Sequence, residues 1–469
     1  MNGSPSTTSR RRAVALACLA AVHGGALAAG FQLSEQSVSG LGAAFAGQAA
    51  LADDASVVFF NPAGLTRLGV RRQAVVAGHI VQPKGRFHDG GSCTPYLGTG
   101  AGTTACPFGP SGNLGHGPGN DGGEADDTGF VPNAYLAWEL MPGRLWGGLG
   151  LNAPFGLKTT RDAAWIGRFH ATESEVQGIN INPTLAYKVM DNLSVGAGFN
   201  AMRFSADLSN AVSYRAVALA SGVPALAAAI PAGAEGIATV EGDDWGYGWN
   251  LGVQFEPVRG LQLGATYRSA IKFSIDGDVR FGNRPAALAA VPALADGRVG
   301  ASVELPDTVS LAVAWEARPG LKLLFDWTRT GWDSIQDLTV VREEGPLAEQ
   351  TVTSTALRFR DSWRAGVGVV WDTPQWTLRA GFAHETSPVT DDFRTPRLAD
   401  TRRRWYAVGG RWKMSPDLHF DVGLALLRFR DAPSRLPNQE TPTSAPRGSL
   451  VGEYTAKAYI VGAQANWSF

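Results

Sequence analysis

The stretch Leu357-Arg358-Phe359-Arg360-Asp361-Ser362-Trp363-Arg364-Ala365-Gly366-Val367-Gly368-Val369-Val370-Trp371 repeats with a period of two. Leu357, Phe359, Trp363, Ala365, Val367, Val369 and Trp371 fall on one face, interrupted only by Asp361. Arg358, Arg360, Ser362, Arg364, Gly366 and Gly368 fall on the other. This alternation marks a β-strand between two different surroundings, but a sandwich core and a lipid bilayer would both suit its apolar face. The tryptophans bear on the choice. Trp363 and Trp371 share a face, and their spacing is about 26 Å along a strand, or roughly 20 Å along a membrane normal after a tilt near 40°. That approaches the height of a lipid-facing band with an aromatic girdle at each edge.

The same pattern recurs outward from this segment. Strands are predicted near 72–86, 130–141, 145–158, 174–190, 193–209, 243–256, 261–280, 301–316, 320–341, 356–371, 375–388, 401–414, 417–430 and 453–469. That is an even number, as antiparallel closure requires. Tight turns such as Met141-Pro142-Gly143-Arg144, Asp191-Asn192 and Ser415-Pro416-Asp417 alternate with long polar links. Short turns face the periplasm and long links the exterior in membrane barrels. The last strand puts Tyr459, Val461, Ala463, Ala465, Trp467 and Phe469 on one face and stops at the C-terminal aromatic. The expected fold is all-β: a 14-stranded antiparallel transmembrane β-barrel spanning 72–469, in the outer membrane of a Gram-negative bacterium.

The N-terminus supports export. Arg10, Arg11 and Arg12 precede the apolar run Ala13 to Val22, and Ala26-Leu27-Ala28 supplies small residues for cleavage, so residues 1–28 are read as a signal peptide. The run is too short to span a bilayer, and the arginines alone leave the export route open. Gly-rich, Trp-rich composition with 18% charged residues favours a barrel over a soluble secreted protein. A net charge of -1 gives no basic footprint for nucleic acid. Cys93 and Cys106, in a Gly- and Pro-rich stretch, are expected to form a disulfide; a metal site with His88 and His116 is the alternative, but that irregular spacing does not favour one. No metal, cofactor or catalytic grouping of nucleophile, His and orienter is expected.

Two segments do not alternate. Residues 211–235 are Ala-rich, with Leu219 and Leu226, and are read either as short helices packed on each other over the mouth or as a greasy landing site for ligand. Residues 29–71 hold Ser39-Gly40-Leu41-Gly42-Ala43-Ala44-Phe45-Ala46-Gly47, Ala52-Asp53-Asp54-Ala55 and Asn61-Pro62-Ala63-Gly64. They are expected to form an N-terminal plug of short helices, because such a barrel is too wide for its own side chains to fill.

These motifs, with Ala29-Gly30-Phe31-Gln32-Leu33, Ala153-Pro154-Phe155-Gly156-Leu157, Trp245-Gly246-Tyr247-Gly248-Trp249-Asn250 and Thr266-Tyr267-Arg268-Ser269, make the mature chain resemble the FadL family of outer-membrane transporters of hydrophobic compounds. The resemblance implies a channel that passively takes up hydrophobic small molecules, long-chain fatty acids before aromatic hydrocarbons; a general diffusion porin is a further alternative that the plug disfavours, and a monomer is expected. It also implies capture by outer loops and sideways release into outer-membrane lipid at a kinked third strand. Pro154 and Gly156 are the expected kink, faced by Asn61, Pro62 and Ala63 of the plug. Phe31, Ala153, Phe155, Leu219 and Leu226 are the expected ligand contacts. Where fatty-acid transporters hold the carboxylate with a serine and basic residues, this chain carries Ala153, Asn210 and Thr355. Arg203, Arg358 and Arg360, read as inward-facing, are candidates either to replace the missing cations or to pair with lumenal acids such as Asp207.

Overall fold

A computed structural model describes residues 30–92, 94–95, 120–122, 124–125, 127–221, 223–231, 233–436 and 447–469. The expected signal peptide and the Cys93–Cys106 disulfide lie outside the described residues. Twenty hydrogen-bonded segments form one sheet, and six of them continue a neighbour across a short break, which leaves fourteen barrel strands. They are β1 (Arg72–Asp89), β2 (Gly129–Met141, with Glu124–Ala125 before it), β3 (Leu145–Thr160), β4 (Glu173–Met190), β5 (Leu193–Ser213), β6 (Glu235–Val258), β7 (Leu261–Arg268 and Ile271–Phe281), β8 (Gly297–Leu305 and Thr308–Arg318), β9 (Leu321–Thr330 and Asp337–Arg342), β10 (Thr351–Ala356 and Ser362–Asp372), β11 (Trp376–Glu385), β12 (Arg403–Lys413), β13 (Leu418–Phe429 and Ala432–Leu436) and β14 (Leu450–Ser468). Consecutive strands pair antiparallel, and β1 closes on β14 from Gln73 opposite Ser468 to Asp89 opposite Gly452.

Alternation is realised in the wall. Along β10, Trp363, Val367 and Trp371 are exposed, whereas Ser362, Arg364 and Gly366 are buried inside. An apolar face turned outward on a closed barrel is the arrangement a bilayer stabilises. No helix among the described residues is long and apolar enough to cross a membrane.

The N-terminal segment fills the lumen with α1 (Val38–Leu41), α2 (Val57–Phe60) and a 3₁₀ turn over Pro62–Arg67. Ser37 caps α1 by accepting from the Gly40 N–H at 3.0 Å, and Asn61 caps the 3₁₀ turn by accepting from the Ala63 N–H at 3.1 Å. The small residues of 39–47 allow close approach to the wall: a Cβ on Gly42 would lie 3.0 Å from the Gly409 Cα. Ala43, Ala46, Ala49 and Leu51 pack on Ala312, Ala314, Leu324 and Val370; Val57, Val58 and Leu65 pack on Tyr135, Trp146 and Ala186. Charge then fixes the orientation. Asp53 pairs with Arg379 at 3.2 Å and Asp54 with Arg411 at 3.0 Å, while Asp421 of β13 bridges both arginines at 2.8 and 2.9 Å. Removing one member of such a buried set strands the others, a cost of about 3–5 kcal/mol.

In the link between β5 and β6, α3 (Tyr214–Ala220) packs on α4 (Pro224–Ala229). Ala218 and Ala227 are buried between them with Tyr214 and Ile230, Leu226 packs against this cluster, and Leu219 is 39% exposed.

Candidate functional site

An apolar cavity of about 150 Å³ lies inside the wall, lined by Phe31, Leu157, Val176, Phe204, Ile275 and Phe359 among others. β3, β4, β5 and β7 each contribute between one and three residues to it. The plug contributes Phe31, whose ring lies 5.9 Å from Phe155, 6.4 Å from Phe204 and 4.9 Å, edge-on, from Trp332. Trp332 is fully buried in a short 3₁₀ turn within the β9 break. Offset and edge-on pairs of this kind favour a rigid aromatic wall.

One group in the cavity stands out electrostatically. Arg397, in the loop before β12, donates to the Glu173 carbonyl and the Ser174 hydroxyl, both at 3.0 Å, and to the Asn210 side-chain oxygen at 3.2 Å. Arg447 donates to the hydroxyls of Thr355 at 3.5 Å and Thr353. Neither pairs with a carboxylate among the described residues, whereas the cavity's own acids Glu241, Glu304 and Asp337 are exposed. Burial and the nearby Arg447 charge push Arg397 down to about 9, and burial lowers Arg447 too. His170 beside them is held to about 3, chiefly by burial and then by the Arg447 charge, so its ring is neutral at ordinary pH. A desolvated guanidinium bonded only to neutral oxygens is a strong anion site. The two cations reach Asn210 and Thr355, the positions where the resemblance implied that basic residues were missing.

The expected cations take other places. Arg203 faces outward between the inward Met202 and Phe204 and pairs with Asp243 at 3.1 Å, with both side chains about half exposed. Arg358 and Arg360 are also exposed, and Arg358 lies 3.7 Å from Asp337. The reason is a break in β10 between Ala356 and Ser362, where Arg358 takes a positive φ of 45°. The break shifts the alternation, so Phe359 enters the cavity and its arginine neighbours turn out. Leu219 and Leu226 belong to the helical cap and do not line the cavity.

The third strand is interrupted as expected. Pairing of β2 with β3 ends at Ala134 opposite Leu151, and pairing of β3 with β4 slips between Asn152 and Phe155. Residues 31–36 of the plug fill this break. The Leu33 N–H donates to the Pro154 carbonyl at 2.8 Å, the Gly156 N–H to the Phe31 carbonyl at 2.9 Å, and the Gln36 amide to the Ala153 carbonyl at 2.9 Å. From β2, Asn133 donates to the Glu35 carbonyl and Tyr135 to the Gln36 carbonyl. Asn61, Pro62 and Ala63 do not face the break. They lie lower and on other strands, where the Asn61 amide donates to the Val253 carbonyl at 3.0 Å and Pro62 and Ala63 press on Gly196. Asn-Pro-Ala is a conspicuous local turn, whereas 31–36 is an extended stretch whose pairing partner is remote in sequence and carries no local signal.

A family model described as outer membrane protein transport protein (OMPP1/FadL/TodX) matches residues 19–469. The chain belongs to the FadL family. The long-chain fatty acid transport protein of Escherichia coli O6:H1 (strain CFT073) is 28% identical over 99% of this chain and 100% of its own. The 47 kDa outer membrane protein of Pasteurella multocida (strain Pm70) is 31% identical over 87% of this chain and 90% of its own. A Pseudomonas aeruginosa FadL homologue superposes with a TM-score of 0.82 at 25% identity, over 94% of this chain and 100% of its own. The Pseudomonas putida toluene transporter TodX, 16% identical over 89% and 94%, shares the fold with a TM-score of 0.61. The protein is thus an outer-membrane transporter of hydrophobic compounds that crosses the membrane with strands, in a family of channels rather than enzymes.

Proposed function

We propose that this FadL-family channel takes up long-chain fatty acids, with the hydrocarbon chain in the Phe31–Phe204–Ile275 cavity and the carboxylate on Arg397, supported by Arg447. The observation that carries this reading is an arginine without a carboxylate partner among the described residues, held on neutral oxygens at the wall of an apolar cavity. A neutral aromatic hydrocarbon has no charge to pair with such a cation and gains at most a cation–π contact. Ligand then leaves sideways at the β3 break. Phe31 supports the coupling, because it both covers the cavity and pairs with Gly156, so ligand that displaces its ring loosens the segment filling the break. The ion-paired plug opposes an axial path. The helical cap gathers ligand from outside, with Leu219 as an exposed contact, the mature chain works as a monomer in outer-membrane lipid, and residues 1–28 are its export signal.

The test compares radiolabelled oleate with toluene in cells expressing wild type or Arg397→Gln. Selective loss of oleate uptake is the expected result. Equal loss of both substrates, or of neither, removes the carboxylate reading.

A further inference from the structure

The outer face of the wall carries a row of cations unrelated to the transport site. Lys84 of β1 lies directly opposite Lys457 of β14, Lys457 opposite Arg428 of β13, and Arg428 opposite Arg404 of β12. All four are exposed, while the alternating neighbours Arg403, Trp405, Leu427 and Ala458 are buried, so the row points away from the lumen. None of the four makes an ion pair among the described residues, and Lys457 only leans over the Tyr459 ring at 5.7 Å. Arg402 and Arg430, joined through their backbones at 3.0 Å, are exposed beside the row. Like charges directly opposite on neighbouring strands repel at Cβ separations of about 5 Å. Four in succession make a surface that an external polyanion would stabilise.

Its height identifies the occupant. These residues sit at the strand ends that lead into the long links, hence on the exterior side. Two positions toward the bilayer, the same strands present Tyr406, Leu426 and Tyr459 in cross-strand register. Those three belong to a shallow apolar groove of about 780 Å³ on the lipid side, which also takes in Val367, Phe382 and Val461. Cations above and an open apolar trough below match a lipid with a phosphorylated head and several acyl chains. We propose that β11–β14 and β1 form a binding site for the phosphorylated glycolipid of the outer leaflet, lipid A, with its phosphates on Lys84, Arg404, Arg428 and Lys457 and an acyl chain in the groove.

Native mass spectrometry of the full chain in detergent tests this, with diphosphoryl lipid A, monophosphoryl lipid A and dioleoyl phosphatidylglycerol as probes. The triple variant Arg404→Gln, Arg428→Gln, Lys457→Gln is compared with a charge-matched control on the opposite wall and its turn, Arg259→Gln, Lys272→Gln, Arg298→Gln. Arg428→Gln alone serves if the triple variant does not fold, with a smaller loss expected. Diphosphoryl lipid A is expected to bind the row variant at least tenfold more weakly than wild type or control, monophosphoryl lipid A to fall in between, and phosphatidylglycerol to bind all three proteins equally. Undiminished lipid A binding by the folded row variant overturns the site. So does phosphatidylglycerol that binds wild type as tightly as lipid A and is lost in parallel, since the row is then a general anionic-lipid belt.

Discussion

Arg397 and Arg203 differ in what surrounds the same guanidinium. Arg397 bonds to neutral oxygens beside an apolar cavity, so a carboxylate arriving there gains charge-assisted hydrogen bonds in a site shielded from water. Such bonds contribute about 1.5–3 kcal/mol, so Arg397→Gln should weaken oleate binding roughly 10- to 100-fold and leave toluene binding unchanged, as measured by fluorescence displacement on the purified protein. Arg203 pairs with Asp243 with both side chains about half exposed, and exposed pairs contribute at most about 1 kcal/mol. Arg203→Gln should therefore leave uptake and stability within error of wild type. The pH profile follows from the same cluster. His170, lowered to about 3, stays neutral and Arg397, lowered to about 9, stays charged between pH 5 and 8, so oleate affinity should be flat across that window in a titration, falling below it where the ligand's own carboxyl takes up a proton and above it where Arg397 gives up its own. A step near the ordinary histidine range would mean that His170 is accessible and ionises.

Among the elements, β3 and the plug segment 31–36 behave as one unit. Pro154 has no N–H for the ladder, the pairing slips beside it, and the exposed strand edge is satisfied by Phe31 and Leu33. A Cβ on Gly156 would sit 2.9 Å from the Leu33 Cδ1, so Gly156→Val crowds the Leu33 side chain that covers the break. If exit runs through this opening, Gly156→Val should change the uptake rate severalfold while the barrel still runs as a folded, heat-modifiable band on a gel; a folded variant with an unchanged rate counts against sideways release. The α3–α4 pair forms where the Ala-rich composition of 211–235 suggested packed helices. Its alanines pack on one another, and only Leu219 of the two leucines singled out is substantially exposed.

At the scale of the whole molecule, the plug is held on one side by charge and on the other by packing. Asp53 and Asp54 share Arg379, Arg411 and Asp421 beneath β11–β13, while Val57, Val58 and Leu65 press on β1–β4. The Asp54→Ala variant leaves Arg411 with one carboxylate fewer in a buried site and should loosen the plug. The expected readout is sugar entry in a liposome-swelling assay, absent in wild type and present in Asp54→Ala; no gain of sugar permeability in a folded variant would show that packing alone retains the plug.

The sequence by itself determined the barrel, because strand alternation and the turn spacing are local and repeat fourteen times over. It also placed the kink, since Pro154 and Gly156 limit strand pairing wherever they sit. Only the tertiary structure decided which side chains line the cavity. A single interruption with positive φ at Arg358 reverses the faces that strict alternation assigns, and no period-two reading carries that phase across the break. Arg397 and Arg447 lie in loops without periodicity, and they matter only because the chain brings them to Asn210 and Thr355, 187 and 92 residues away. Charges that are far apart in sequence become a site only when closure of the barrel removes water from between them.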